Sequence, residues 1–312
     1  MIRPVKPESD AAEIAVLIKK SFRPWLDADN IAYLDNLREA GIDAEKHPLW
    51  TGITGFPYDL SGVVCTDNAG KIVGIINANQ FSLNGSSCCL VSNVCVDPKY
   101  RGQGIASRML HEIERLQRKK GVWGAYLQVR TENPKTVALY KKSGYRITDL
   151  RETWIRPEKV HETDTKSSIL RVSHVPASDE VKFQEMFDRY YPRSILWNLG
   201  YRRDLFTPGR QADIISRLSS RVNRFFRVTG EDGNTEAWAA MQQFNGETDL
   251  FWFVPAEDLP EEEFSMILKL CINEYRGKKP LKLDLPAPAP GKIIQEAGFT
   301  RQQTVAWMWK RL

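Results

Sequence analysis

"DPKYRGQGIASRML", residues 97–110, sets Gly102 and Gly104 at a junction between two differently patterned segments. Before it, SSCCLVSNVCV (86–96) is an apolar run rich in valine, which predicts a strand. After it, Met109, Ile113 and Leu116 recur at helical spacing, and Arg108, Glu112, Arg115 and Arg118 lie off that face. A helix is predicted over about 104–119. Glycine lacks a Cβ, so φ can turn positive and a ligand can approach the backbone closely. The amides of Gly102, Gln103, Gly104, Ile105, Ala106 and Ser107 can then converge beside a helix N-terminus, whose unpaired N–H groups and dipole favour phosphate. Arg101 adds a cation able to reach an outer phosphate. The same residues also suit a tight turn that needs glycine for packing alone. No third glycine stands at dinucleotide-fold spacing, and no Gly-Lys-Ser/Thr follows as in a P-loop.

Working outward, Ile2–Val5 reads as a strand, and Ser9-Asp10 as the N-cap of a helix with Ile14, Leu17 and Ile18 on one face. A second helix is expected near 28–40 and a loop over 47–61. GVVCTD, the turn DNAGK and IVGIINANQF read as a hairpin. AYLQVRT is a further strand, and Asn133-Pro134 caps a short helix that Gly144 stops.

At 312 residues the chain suits two domains, and PEKVHETDTKSS (157–168) reads as the linker between them. After it the same landmarks recur in order. Leu170-Arg171 with Ser178-Asp179 matches Ile2-Arg3 with Ser9-Asp10, Gly233 matches Gly70, Val254 matches Val96, and Gly298 matches Gly144. The offsets shrink steadily from near 168 to 154, as a shortened second copy would give. Where the first copy has its glycines, the second has Asp258-Leu259-Pro260 and Glu261 to Glu263, which repel phosphate and remove an amide. Ile293 and Ile294 stand near the place of Tyr140.

Net charge of +5 accommodates an anionic ligand and does not argue for nucleic acid. The five cysteines form no CxxC pair and read as reduced, buried thiols. The four histidines lack metal-site spacing, so no metal is expected. The N-terminus lacks the basic start and apolar core of a signal peptide, and no apolar stretch approaches membrane-spanning length. A cytoplasmic protein without membrane or nucleic-acid partners is expected.

VCVDPKYRGQGIASRML resembles the acyl-CoA-binding signature of the GNAT superfamily of N-acetyltransferases, matching at Arg101, Gly104 and Ala106. NPKTVALYKKSGYR resembles a later segment of the same family, with Tyr145 in place of the usual phenylalanine. The resemblance covers residues 1 to about 155 well and the remainder in outline. It implies an α/β (α+β) fold of two tandem domains, each a mixed, mostly antiparallel sheet flanked by helices. Residues 1–156 would form the catalytic domain and 169–312 a degenerate copy. It further implies acetyl transfer from acetyl-CoA to a primary amine of a small molecule. Backbone groups of Val94, Cys95 and Val96 would hold the acyl carbonyl and pantetheine arm, the amides of Gly102 to Ser107 the pyrophosphate, and Asn133 the pantetheine region. Tyr140 would protonate the leaving thiolate. Glu132, Asp27, Asp35 and Asp59 are candidate bases, none preferred. A covalent role for Cys95 is disfavoured. A non-catalytic acyl-CoA-binding or sensing module is the alternative, with Tyr140 as packing. The arginine- and aromatic-rich stretches 190–210 and 216–228 read as core aromatics with solvated arginines ahead of a pocket wall.

Overall fold

The computed structural model describes residues 1–26, 28–48, 56–158, 169–196, 223–243, 247–257, 259–275 and 277–312. The stretches 197–210 and 216–222, most of the expected linker, Asp27 and Asp258 lie outside the described residues. Chain contacts divide the protein into a first unit, Met1–Thr148 with Trp307–Leu312, and a second unit, Asp149–Ala306. The sequence reading placed the last six residues with the second copy. They belong to the first unit through pairings that no local pattern announces.

In the first unit, β1 (Ile2–Pro4), β2 (Gly62–Thr66), β3 (Ile72–Leu83), β4 (Ser86–Val96) and β5 (Gly124–Arg130) lie side by side. All neighbouring pairs are antiparallel except β4 with β5, which is parallel. α1 (Pro7–Phe22) and α2 (Ala28–Lys46) cover one face. Ile14, Leu17 and Ile18 of α1 and Leu37 of α2 pack there with Ile75 and Cys95. α1 begins at Pro7 after Lys6, earlier than Ser9-Asp10 suggested. Proline fits the first helical turn, and Asp10 instead accepts from the Lys6 amide at 2.8 Å and from Arg3 at 2.6 Å. α3 (Ile105–Lys119) covers the other face, where Met109 packs so close to Gly74 that a Cβ there would meet its sulfur at 2.9 Å. α4 (Pro134–Lys142) follows β5.

β6 (Arg146–Arg156) and β12 (Thr300–Arg311) each belong to the first unit at one end and to the second at the other. Within the first unit the C-terminal residues are held firmly. Trp309 packs 5.2 Å from the Trp123 ring and 6.5 Å from Tyr126. Lys310 Nζ lies 2.6 Å from Glu114, a carboxylate buried on α3. The Leu312 amide donates to the Trp123 carbonyl at 3.0 Å.

The second unit repeats the order with β7 (Arg171–His174), α5 (Glu180–Tyr190), β8 (Asn223–Thr229), β9 (Thr235–Gln242), β10 (Asp249–Pro255), α6 (Glu261–Asn273), β11 (Leu281–Pro286) and α7 (Gly291–Glu296). Its strands run β6-β11-β10-β9-β8-β7, and β10 with β11 is the parallel pair. Gly233 turns between β8 and β9 at φ 77° as Gly70 does between β2 and β3 at 83°. Gly298 ends α7 at φ 87° as Gly144 ends α4 at 89°. Both pairs require the left-handed region, so the recurring glycines mark recurring turns.

Candidate acetyl-donor and acceptor site

β4 and β5 stay paired from Cys88 with Gly124 only as far as Leu90 with Tyr126. Beyond that pair, Val91–Val96 and Leu127–Arg130 carry backbone groups along edges that no ladder between them satisfies. An extended ligand arm can add there as a strand does. Opposite β3, the register jumps between Ile75 with Cys95 and Asn77 with Ser92, a bulge centred on Asn93 and Val94. Asn93 has φ 51° and its side chain donates to Asn77 Oδ1 at 3.1 Å. The bulge turns Asn93 and Val94 out of the regular ladder, as an oxyanion donor needs.

At the end of β4, Asp97 caps a short turn by accepting from the Lys99 amide at 3.0 Å and pairs with Lys20 at 2.8 Å. That lysine's hydrogen bond holds the Asp97 carboxyl below the usual range. Gly102 at φ 79° and Gly104 at φ 70° then lead into α3, and a Cβ at either would meet nothing within 4 Å. Packing is therefore not what these glycines satisfy: they hold left-handed backbone and leave a clear cradle. The first bond of α3 runs from the Arg108 amide to the Gly104 carbonyl at 3.1 Å. The amides of Ile105, Ala106 and Ser107 precede that bond and point out of the helix end. This open, amide-lined loop fits a pyrophosphate. Arg101 is exposed, and its Nε donates to the Val96 carbonyl at 3.0 Å, closing the strand's last acceptor.

Tyr140 on α4 is buried, 5.9 Å edge-on from the Tyr145 ring. Burial raises its phenol above the usual value and the Cys95 thiol adds to that, so it stays a donor across the physiological range. Cys95 is buried too, and burial pushes its thiol up to about 12, which makes it a small apolar residue rather than a thiolate nucleophile. Asn133 caps α4 by accepting from the Thr136 amide at 3.2 Å. Tyr145 is buried beneath Lys310, whose nitrogen sits 5.7 Å from its ring.

The candidate bases separate on geometry. Asp35 is paired with Lys19 at 2.7 Å, Glu132 is exposed after β5, and Asp27 lies outside the described residues. Asp59 accepts from the Ser61 amide at 3.0 Å, the Ser61 hydroxyl at 2.7 Å and Asn79 Nδ2 at 3.1 Å. Sequence reasoning missed Asn77, Asn79 and Asn93, which the register of β3 and β4 brings into one polar row.

Residues 59–147 match the family model described as Acetyltransferase (GNAT) domain. This segment is similar to GNAT acetyltransferase domains. The N-alpha-acetyltransferase RimI of Mycobacterium tuberculosis is 34% identical over 89 residues, 28% of this chain and 54% of that protein. The chain thus spans about half the length of that curated relative. A GCN5-related N-acetyltransferase from Sphaerobacter thermophilus shares the fold over 100% of this chain and 95% of its own, at 14% identity and TM-score 0.61. A tandem GNAT protein from the clavulanic acid biosynthesis pathway shares it over 100% and 98%, at 12% identity and TM-score 0.52. Both likenesses run through the two units, so the second follows the fold although the GNAT model matches only within the first.

The second unit's own splay is filled. β10 and β11 pair from Asp249 with Leu281 to Phe251 with Leu283 and no further. Past that point the Tyr191 hydroxyl accepts from the Phe253 amide at 3.3 Å and donates to the Asp284 carbonyl, 2.9 Å away. Tyr191 is fully buried against Trp252 and Phe187. Arg151, also buried, bonds the Asp284 carboxylate at 2.7 Å and stacks 4.9 Å from the Tyr191 ring. α6 opens after Pro260 at φ −58°, with Glu261, Glu262 and Glu263 in its first turn.

Proposed function

We propose that the chain is a tandem N-acetyltransferase that moves acetyl from acetyl-CoA to a primary amine of a small molecule, using the GNAT domain of the first unit. The observation that carries this reading is the loss of β4–β5 pairing after Leu90 and Tyr126, followed along the chain by the glycine loop that opens α3. A pantetheine arm would add along Val94 to Val96, and the amides of Gly102 to Ser107 would hold the pyrophosphate. Asn133 would border the pantetheine region, and Arg101 would lend its remaining N–H groups to an outer phosphate. The amine attacks the thioester directly. A preorganised Val94 or Cys95 N–H stabilises the tetrahedral oxyanion, and Tyr140 gives its proton to the departing thiolate. Cys95 takes no covalent part, since its thiol holds its proton to about 12.

The second unit supports this arrangement as a degenerate copy. Tyr191 supplies from within the backbone-bonding groups that a pantetheine would bring, and three glutamates replace the glycine loop. A second reading, transfer to a protein α-amine, is favoured by the name of the mycobacterial relative. Both are tested by free-thiol release from acetyl-CoA with a panel of small amines and an N-terminal peptide. Amine-dependent release that Tyr140→Phe suppresses supports catalysis, and the better acceptor decides between the readings. Acetyl-CoA binding with no amine-dependent thiol release would leave a binding module.

A further inference from the structure

Asp59 stands just before β2, where β3 extends beyond its partner: Gly62 pairs with Asn77, and Asn79 lies two residues further. Its carboxylate is held by Ser61 and Asn79, and Lys120 acts on it from beyond 4 Å without forming an ion pair. Aromatic rings stand beside it. Tyr33 of α2 meets Tyr58 edge-on at 5.5 Å, and Phe56 lies 6.1 Å from Tyr58. Tyr33 is 42% exposed and offers its ring to a ligand, while Phe56 and Tyr58 are half-buried against the core and hold it in place. An oriented carboxylate beside open aromatic faces recognises an organic cation.

This group is wired to the transfer site. The Asn77 side chain donates to the Ser61 carbonyl at 3.4 Å and accepts from Asn93 at 3.1 Å. Asn93 belongs to the bulge that contains Val94. Asn79 pairs with Leu90, so the bulge lies three to four residues along β4 from Asp59's partner, about 10 Å at strand rise. Asn77 and Asn79 share the strand face of Ile75, which packs under α1, whereas Gln80 on the other face meets Gln117 of α3.

The reacting amine must be neutral to attack. The Ser61 and Asn79 hydrogen bonds hold the Asp59 carboxyl below the usual carboxylate range, which makes it a poor proton acceptor. An ammonium seated there keeps its proton and is not the nucleophile. We propose that Asp59, with Tyr33, Tyr58 and Phe56, seats a second, permanently protonated amine of the acceptor, so that the preferred acceptors are polyamines with a charge about 10 Å from the nitrogen acetylated. This rests on the acetyl-transfer reading of the same domain. In the step itself the neutral nitrogen forms the C–N bond, and the C–S bond breaks as the tetrahedral intermediate collapses. Its proton passes to solvent, the thiolate takes one, and the ammonium at Asp59 is unchanged.

The test is calorimetric binding of spermidine and of 1-butylamine to the full chain without acetyl-CoA, joined to thiol-release kinetics. Spermidine should bind at least tenfold more tightly than butylamine. Asp59→Asn and Tyr33→Leu should each weaken it, Asp59→Asn by tenfold or more. The spermidine KM should rise in step, while the butylamine KM and acetyl-CoA binding hold, the latter also showing that each variant is folded. Equal affinity for the two amines, or spermidine binding indifferent to Asp59→Asn, overturns the proposal. Asp59-dependent spermidine binding without any thiol release keeps the cation seat and removes the transfer reading. Transfer to spermidine no more efficient than to butylamine or to an alanyl peptide, and indifferent to Asp59→Asn, keeps transfer and removes the seat.

Discussion

Leu90 and Tyr126 form the last register pair between β4 and β5, and every residue assigned to the acetyl donor lies beyond it in the chain. One side of the opening is Val94 at a bulge, and α4, which follows β5, brings Tyr140. Past the opening, β4 leads along the chain into a loop whose two glycines have empty space where side chains would begin.

Gly104→Glu adds a side chain at φ 70° and an anion where a phosphate would sit. The backbone strain costs about 1 kcal/mol and leaves the fold intact. Acetyl-CoA affinity should fall at least tenfold by titration calorimetry, and the melting-temperature rise that acetyl-CoA gives the native chain should vanish.

Tyr140→Phe removes the donor and keeps the buried ring against Tyr145. kcat should fall about a hundredfold, within the usual range for a general acid. Acetyl-CoA binding should be unchanged. An unaltered kcat would return Tyr140 to a packing role.

Cys95→Ala should keep full activity. Its thiol and that of Cys89 are both pushed up to about 12 by burial. A group whose folded pKa is raised stabilises the fold below its unfolded value, near 8.5 to 9, and loses that contribution as pH climbs toward 12. Stability should therefore decline above pH 9, by about 1 kcal/mol per thiol at pH 10. Cys95→Ala should lessen the decline in urea titrations at pH 7 and 10.

Lys310→Met removes the nearer cation of the buried Glu114, 2.6 Å away, and leaves it Arg118 at 3.6 Å. The loss should be about 2 kcal/mol in chemical denaturation, since the Arg118 pair remains. Adding Glu114→Gln should restore most of it. An additive double variant would show that the pair is not coupled.

Much of the first unit was legible locally. The strand 86–96 and the helix after Gly104 follow from a change in apolar period, and Gly70, Gly144, Gly233 and Gly298 mark turns only glycine takes easily. What local pattern could not carry is register. Nothing in KRL announces that Lys310 closes on Glu114, and nothing in the residue types of Glu114 and Gln117 announces their burial, since carboxylates and amides mostly face water. The bulge at Asn93 and the row from Asp59 to Asn93 exist only once β3 and β4 are aligned. The plug of the second unit is likewise invisible in YYPRS until β10 and β11 are seen to part beside Tyr191.

The most direct measurement is the stoichiometry of acetyl-CoA on the full-length chain by titration calorimetry, native and Gly104→Glu. One site per chain, abolished by the substitution, is the expected result. Two sites, or one that survives Gly104→Glu, would contradict the assignment of a single donor site to the loop that opens α3.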